Sequence, residues 1–251
     1  MDSDNVLNID IADVIKAHEL TGAKITLVTQ QIDKDYSSKN PRMMLSTVAG
    51  KVTDITMSAS YTERNPELSL GIFVMSTVYL RKLIEEAQGN NTHSLTNIML
   101  KNFKSQNYRT YKYNGFVASV SSFLDYYKYS VMLAKNEAAR LSLLHKESAP
   151  IFTRVHNSAP VVYKSGAKVE NSMIADECVI EGTVINSVLF RGVHVEKGAI
   201  VKDSVLFSGT YVGKNAKVNC IVTDKDVHVS DNVQLSGNEN MPFYVQKGRK
   251  V

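Results

Sequence analysis

The sequence predicts an α/β region followed by a left-handed parallel β-helix, and three observations predict this fold class. A hexapeptide-like phrase recurs after residue 160, and a second short phrase recurs between its copies. The first 145 residues instead alternate strand-like runs with amphipathic helices. The predicted organisation is an α/β domain over 1–145, a linker over 146–165 and a β-helix domain over 166–251.

The first phrase places apolar residues six positions apart, with small or polar residues between them. Its copies span residues 163–169, 174–180, 195–201, 212–218 and 229–235. The second phrase starts at Asn171, Asn186, Asp203 and Asn219, at steps of 15, 17 and 16 residues. A short period inside a period near seventeen is typical of a triangular coil of three strands. Gly, Asn and Asp would occupy its corners, because they tolerate positive φ.

An antiparallel β-sandwich with evenly spaced strands is the structural alternative to the β-helix. Hairpin signals such as Asn-Gly do not separate these short strands, which favours the solenoid.

The α/β region has its own start and stop signals. Asp10 is placed to cap a helix in which Ile11, Val14, Ile15 and His18 share one face, and Gly22 follows its end. Residues 24–29 and 68–75 are predicted strands, and the second leads into a helix that ends near Gly89.

A long helix is predicted from Ser122, with Asp125 placed as a capping-box acid and apolar residues continuing to Leu141. A glycine-rich phosphate loop does not precede the first helix, whereas doubly wound nucleotide-binding domains normally begin with one. The α/β domain is therefore expected to lack its N-terminal part.

Composition excludes some classes of protein. With 43% hydrophobic and 22% charged residues and no apolar run of membrane-spanning length, the chain has globular values and no membrane role is expected. The start has no secretory pattern, so a cytoplasmic location is expected, with Cys178 and Cys220 as reduced core residues. The net charge of +4 comes from scattered Lys and Arg, which argues against nucleic acid as a partner.

Three stretches resemble the glucose-1-phosphate adenylyltransferase family, also called ADP-glucose pyrophosphorylases. Residues 4–10 are similar to the family phrase Gly-Asp-His-x-Tyr-x-Met-Asp, and residues 70–73 to Met-Gly-Ile-Tyr. Residues 190–199 are similar to the second coil of the family's β-helix. The resemblance spans nearly the whole chain and implies that residues 1–145 are the C-terminal part of a doubly wound nucleotidyltransferase domain.

More narrowly, residues 171–184 and 186–192 resemble the GlgD-type subunit, which pairs with a catalytic GlgC-type subunit. The resemblance implies a regulatory, non-catalytic or weakly catalytic subunit of the enzyme that makes ADP-glucose from ATP and glucose 1-phosphate for glycogen biosynthesis. It implies a hetero-oligomer with the GlgC-type subunit, and a phosphorylated small molecule is a candidate effector. The chain alone is expected to be inactive.

The expected inactivity depends on the metal site. Adenylyl transfer relies on positioning and charge neutralisation, much of it from Mg²⁺ held by carboxylates in the active relatives. Those carboxylates belong to the Gly-Asp-His phrase and to a later Trp-x-Asp-Val-Gly-Thr phrase. The resemblance places Asp4 at the first position and Ser119 at the second, and serine supplies no negative charge. Asp4 is thus a vestigial metal position, or simply an acid near a helix start, and no cofactor is expected on this chain.

The sugar-phosphate phrase Glu-Lys-Pro of the active relatives is also changed. This chain has residues 56–66 in its place, and Arg64 is the candidate phosphate-binding residue there.

Two alternative functions remain open from the sequence. The chain could belong to a fully active adenylyltransferase or another sugar-phosphate nucleotidyltransferase. A β-helix acyltransferase is the other alternative, since such enzymes use a histidine base and His194 and His228 lie in the predicted β-helix. Neither histidine has a visible acidic partner in the sequence, which favours surface or turn positions.

Overall fold

The computed structural model describes residues 3–32, 37–60, 66–89, 94–147 and 149–251, with residues 37–40 described by their backbone alone. Contacts divide the chain into two compact units, 1–117 and 118–251. Among the described residues, no helix is long and apolar enough to cross a lipid bilayer. The predicted division into 1–145, 146–165 and 166–251 stays a prediction.

The first unit is a mixed α/β structure, as the sequence predicts. Its elements are β1 (Asn5–Leu7), α1 (Ile11–Thr21), β2 (Ile25–Gln31), β3 (Ser37–Val48), β4 (Lys51–Ser60), β5 (Glu67–Met75), α2 (Thr77–Gly89), α3 (Leu95–Asn102) and β6 (Tyr108–Lys112), and β7 (Val117–Ser119) begins at its last residue. Five strands form a closed barrel in the order β2-β5-β3-β4-β6. Within the described barrel, only β2 and β6 pair in parallel.

Helix α1 begins and ends where the sequence predicts. The Asp10 carboxylate accepts a hydrogen bond from the Ala12 N–H at 2.8 Å, and Gly22 ends the helix with φ 57°. Of the predicted apolar face, Val14 is fully buried, but Ile11 and Ile15 keep 40% and 41% of their surface exposed. The face is therefore only partly covered.

The β3–β4 hairpin is an element that the sequence did not predict. Its turn lies at Ala49 and Gly50, which both have positive φ, 49° and 73°. Alanine rarely takes this backbone conformation, so the pair carries no recognisable hairpin signal.

The second unit carries two helices and a parallel β-helix, which confirms the predicted solenoid. The helices are α4 (Phe123–Lys135) and α5 (Glu137–Leu144). The strands are β8 (Val162–Tyr163), β9 (Lys168–Glu170), β10 (Met173–Ile174), β11 (Val179–Ile180), β12 (Thr183–Ile185), β13 (Val188–Leu189), β14 (His194–Val195), β15 (Ile200–Lys202), β16 (Val205–Leu206), β17 (Tyr211–Val212), β18 (Lys217–Asn219), β19 (Ile221–Thr223), β20 (His228–Val229), β21 (Gln234–Ser236) and β22 (Phe243–Val245).

These strands form three faces of five parallel strands each. The first face holds β8, β11, β14, β17 and β20; the second holds β9, β12, β15, β18 and β21; the third holds β10, β13, β16, β19 and β22. Inward residues of neighbouring strands pair with one another, so Ile180, Val195, Val212 and Val229 stack in a column and are essentially buried. Stacked coils therefore bury a continuous apolar core.

The residues of the second phrase form the corner that precedes the third face. Asn171, Asn186, Asp203 and Cys220 all have left-handed backbone there, with φ between 44° and 53°. The fourth copy thus begins at Cys220, and the prediction of Asn219 is wrong by one residue, since Val205 pairs with Val222. Asn219 attracted the prediction because asparagine suits such a corner better than cysteine does.

The first phrase also needs one correction. Residues 163–169, 195–201, 212–218 and 229–235 occupy the same corner, but residues 174–180 run from the third face to the first. In the second coil, which consists of β11, β12 and β13, the equivalent corner spans residues 180–184 and is two residues shorter than the others. Gly182 lies in this short corner. The corner at residues 163–169 and the one at residues 174–180 both carry apolar residues six positions apart with small or polar residues between them, so sequence similarity alone does not separate them.

A column of serines links the coils at the left-handed corner. The Ser172 Oγ accepts from the Ser187 N–H, the Ser187 Oγ from the Ser204 N–H, and the Ser204 Oγ from the Ile221 N–H, each at 3.1 Å. The Ser204 hydroxyl also donates to the Lys202 carbonyl oxygen at 2.6 Å. Ser187 and Ser204 are fully buried, so these bonds satisfy backbone groups that water does not reach.

Replacing Ser204 by alanine is expected to lower the free energy of unfolding by about 1–2 kcal/mol, because the buried Ile221 N–H loses its acceptor. Urea unfolding followed by circular dichroism measures this loss. Ser236→Ala is the matched control, since Ser236 is exposed, and we expect a change below about 0.5 kcal/mol. Equal effects of the two substitutions would contradict a structural role for the buried column.

Helix α4 packs against the third face of the β-helix. Tyr127 and Val131 contact an outward apolar strip of Val205, Cys220 and Val222. The Tyr127 hydroxyl donates to the Asp203 carbonyl oxygen at 2.8 Å, and the Lys135 Nζ lies 2.7 Å from the Asp203 carboxylate. Both cysteines are buried and free, as predicted.

The predicted single long helix is wrong at Asn136, where the structure has two helices. Asn136 leaves the helical conformation with φ −107° and ψ 103°, and its side chain accepts from the Ala139 N–H at 3.0 Å to start α5. Ser122 caps α4 as predicted, since its hydroxyl accepts from the Asp125 N–H at 3.1 Å. The apolar spacing continues through Asn136, so periodicity alone gave no sign of the break.

Candidate functional site

Asp4 lies directly before β1, and its carboxylate belongs to a small polar cluster. The Arg42 Nη1 lies 3.7 Å from the Asp4 Oδ2, and the Asn5 Nδ2 donates to the Asp4 Oδ1 at 3.2 Å. The Arg42 side chain comes from β3 and is 15% exposed, whereas the Asp4 side chain is 41% exposed. Asp4 is thus held at both carboxylate oxygens by groups of the first unit.

Asn5 anchors this cluster to the barrel. It is 7% exposed, and its Nδ2 also donates to the Leu70 carbonyl oxygen of β5 at 2.9 Å. Its Oδ1 accepts from the Arg42 Nη2 at 3.4 Å. One amide therefore links Asp4, Arg42 and the backbone of β5, so the geometry of the ion pair is set by the fold.

The cluster faces a cavity of about 200 Å³ within the first unit. Its lining includes Asp4, Arg42, Ser69, Gly71, Phe73 and Thr96. Gly71 has φ 66°, a left-handed conformation in the middle of β5, and its N–H donates to the Ser69 Oγ at 3.3 Å. The glycine phrase at residues 70–73, which the sequence singled out, therefore forms one wall of this cavity.

The other predicted site residues have different settings. Ser119 lies at the end of β7 in the second unit and is half-buried. Arg64 falls outside the described residues. Asp4 and Ser119, the two positions at which the resemblance places the metal-binding acids of the active relatives, thus belong to different compact units.

Sequence reasoning missed a buried acid, Glu67, at the start of β5. Glu67 is 1% exposed, and its carboxylate accepts from the Thr29 Oγ1 at 2.8 Å and from the Thr47 Oγ1 at 2.6 Å. The Lys112 Nζ lies 3.0 Å from its Oε1. Burial alone would raise the pKa of this carboxyl, but the hydrogen bonds from Thr47, Thr29 and Lys112 and the charge of Lys112 outweigh it and hold the pKa below its ordinary value.

The second unit has a larger cavity of about 680 Å³ beside α4 and α5. Lysines 128 and 135 line it, together with Glu137 and Glu239. The Lys128 Nζ donates to the Asn240 Oδ1 at 2.9 Å, and Lys135 pairs with Asp203. Both lysines therefore already have protein partners, and acidic side chains balance their charge.

The two histidines of the β-helix lie on its first face, in a column with Tyr211. The His228 ring stacks on Tyr211 with 4.7 Å between centroids and 9° between planes, and His194 lies on the other side at 6.4 Å. His194 is exposed and His228 is half-buried. This arrangement is that of an aromatic column on an outer face, which agrees with the predicted surface positions.

Comparisons with known proteins agree with this architecture. A family model described as GlmU-like, C-terminal hexapeptide matches residues 158–241. The glycogen biosynthesis protein GlgD of Bacillus subtilis is 38% identical over 180 residues, which cover 72% of this chain and 52% of that relative. GlgD of Geobacillus stearothermophilus is 52% identical over 101 residues, 40% of this chain and 29% of the relative.

A glucose-1-phosphate adenylyltransferase of Mycoplasma mobile is 25% identical over 209 residues, 81% of this chain and 53% of that relative. The chain spans about half the length of the relatives that it matches most extensively. Over the length that it spans, the chain therefore belongs to the GlgD-type branch of the glucose-1-phosphate adenylyltransferase family.

Proposed function

We propose that this chain acts in glycogen biosynthesis as a regulatory subunit of glucose-1-phosphate adenylyltransferase, non-catalytic or weakly catalytic on its own. Two similar proteins are named glycogen biosynthesis protein GlgD, and several more distant ones carry the name of the adenylyltransferase. The proposed partner is a catalytic GlgC-type subunit, and the proposed product of the assembly is ADP-glucose.

The observation that carries this proposal is the state of the Asp4 carboxylate. An adenylyltransferase needs acidic oxygens that are available to a divalent cation beside the reacting phosphates. Among the described residues that line the cavity beside Arg42, Asp4 is the one acid, and it is already paired with that guanidinium. Ser119, the residue compared with the second acid, supplies no charge. Both differences favour a subunit that modulates a partner over one that performs the transfer.

Regulation then requires a coupling free energy between subunits. An effector shifts the activity of the assembly only if it binds two assembly states with different affinity. We propose that the β-helix contributes subunit contacts and that a phosphorylated small molecule is the effector.

The test is an ADP-glucose formation assay on three samples, namely this chain alone, the GlgC-type subunit alone, and the two co-purified. We expect no product from the chain alone. The mixture is expected to differ from the GlgC-type subunit by on the order of fivefold in rate or in the effector concentration needed for half-activation. An inert protein added at the same concentration controls for simple stabilisation of the enzyme.

Two results would contradict the proposal. Turnover by the chain alone at a rate comparable to that of the GlgC-type subunit would favour an active adenylyltransferase. A mixture with the same rate and effector response as the GlgC-type subunit would remove the regulatory role.

A further inference from the structure

The cluster of Asp4, Asn5 and Arg42 has a property that the proposed regulatory role does not require. A chain that had merely lost catalysis could leave its remaining acid without a cationic side chain beside it. Here Arg42 reaches that acid from β3, and its side chain is only 15% exposed. The arginine therefore lies inside the cavity wall instead of on an open surface.

Within the described part of the cavity lining, the charges balance without an added ion. Asp4 supplies one negative charge and Arg42 one positive charge, and the other described lining residues are neutral. Arginine stays protonated in proteins, so this positive charge is permanent. A permanent guanidinium charge thus lies beside the carboxylate, 3.7 Å from its Oδ2.

A divalent cation does not fit these residues. Mg²⁺ requires an octahedral set of oxygens and usually one or two carboxylates, while guanidinium has no acceptor atom to offer. A cation at Asp4 would also lie within a few ångströms of Arg42, where like charges repel. Among the described residues, no three acidic, histidine or cysteine side chains come together to form a metal site.

Hydrogen bonds within the protein also hold the ion pair in place. Asn5 binds Asp4, Arg42 and the Leu70 carbonyl at once, so neither charged side chain is free to turn toward a ligand without breaking contacts with a 7% exposed amide. The cluster is therefore organised before any ion arrives.

We propose that Arg42 is a built-in replacement for the divalent cation at Asp4, which makes this cavity independent of metal and excludes Mg²⁺ from it. The inference rests on the proposed function in that both assume a lost cation site. It concerns cation binding by this chain alone, however, and is measured without a partner or turnover.

Titration with Mn²⁺, followed by the electron paramagnetic resonance of the free ion, tests the inference on the full chain. We expect the wild-type chain and Asp4→Asn to bind Mn²⁺ equally poorly. Arg42→Gln is expected to acquire binding at least about tenfold tighter than that of the double variant Arg42→Gln/Asp4→Asn. Arg42→Lys keeps the positive charge and is expected to resemble the wild type.

Lys16→Gln is the matched control, because Lys16 lies 3.8 Å from Asp13 in an exposed ion pair on α1. It removes one positive charge beside an aspartate outside the cavity, so no gain in Mn²⁺ binding is expected. Wild-type binding that is lost in Asp4→Asn would overturn the inference. Arg42→Gln that binds no better than the double variant, or no better than Lys16→Gln, would overturn it as well.

Thermal unfolding supplies a second measurement that does not depend on the stability of Arg42→Gln. The melting temperature of the wild-type chain is expected not to rise with added Mg²⁺. A rise that disappears in Asp4→Asn would mean that the carboxylate is available to the cation, which contradicts the inference. None of these results depends on whether a GlgC-type subunit responds to the chain.

Discussion

Gly182→Ala is expected to destabilise the β-helix by about 3 kcal/mol, since the added methyl group has no room. Gly182 lies in the short corner of the second coil. An added Cβ would meet the carbonyl oxygens of Ala199 and Glu196, the latter at 2.7 Å. Both oxygens belong to the backbone of the next coil. The Ala199 oxygen accepts from the Thr183 N–H, and the Glu196 oxygen accepts from the Ala199 N–H. They therefore do not move aside as the end of a flexible side chain would.

Thermal unfolding of Gly182→Ala, followed by circular dichroism, measures this cost. Gly89→Ala is the control, because an added Cβ at Gly89 meets no atom of the described residues within 4 Å. Gly89 ends α2, and we expect its substitution to change the free energy of unfolding by less than about 1 kcal/mol. If Gly182→Ala melted like the wild type, the close stacking of the second and third coils would be wrong.

Glu67→Ala is expected to lower the free energy of unfolding by about 3 kcal/mol at neutral pH, because it leaves two threonine hydroxyls and Lys112 without their common acceptor. Thr29 is fully buried, so water does not replace the lost carboxylate there. Lys112 is half-exposed and is solvated more easily, which limits its share of the loss.

The pH dependence of this loss has a definite sign. The folded pKa of Glu67 lies below its ordinary value of 4.5, so the ionised carboxylate stabilises the fold above that pH. The stabilisation is lost as the pH falls through the folded pKa. The stability difference between wild type and Glu67→Ala is therefore expected to be largest at neutral pH and to shrink below 4.5.

Urea unfolding at neutral pH and at several acidic pH values measures this difference. Glu85→Ala is the control, since Glu85 is exposed on α2 and its loss is expected to be nearly neutral. A Glu67→Ala difference that stays constant across the acidic range would contradict a stabilising role for the ionised carboxylate.

The β-helix could be predicted from the sequence because its determinants are local. Asn171, Asn186 and Asp203 occupy left-handed corners, and each is followed by a serine. Within a few residues, backbone preference and side-chain direction agree, so the phrase itself predicts the corner. Cys220 is the exception: it takes the same backbone without the usual residue type, and the prediction moved to its neighbour.

The candidate site could be predicted only in part, because its contacts are not local. Asp4 was singled out by its resemblance to a family phrase, and the structure places it in a cavity wall. Arg42 was not singled out, because its partner Asp4 lies on a distant segment of the chain and no sequence pattern connects the two residues. Glu67 was missed for the same reason, because Thr29, Thr47 and Lys112 reach it from three other strands or strand ends.

Helix α4 has a consequence for how the solenoid unfolds. In a stack of coils, each coil normally contacts its neighbours alone, so the ends can open while the middle stays folded. Tyr127 and Val131 touch strands of consecutive coils at once, and Lys135 ties the same helix to a corner residue. Release of the middle coils therefore requires release of α4, so these coils are expected to open together in one cooperative step instead of one by one.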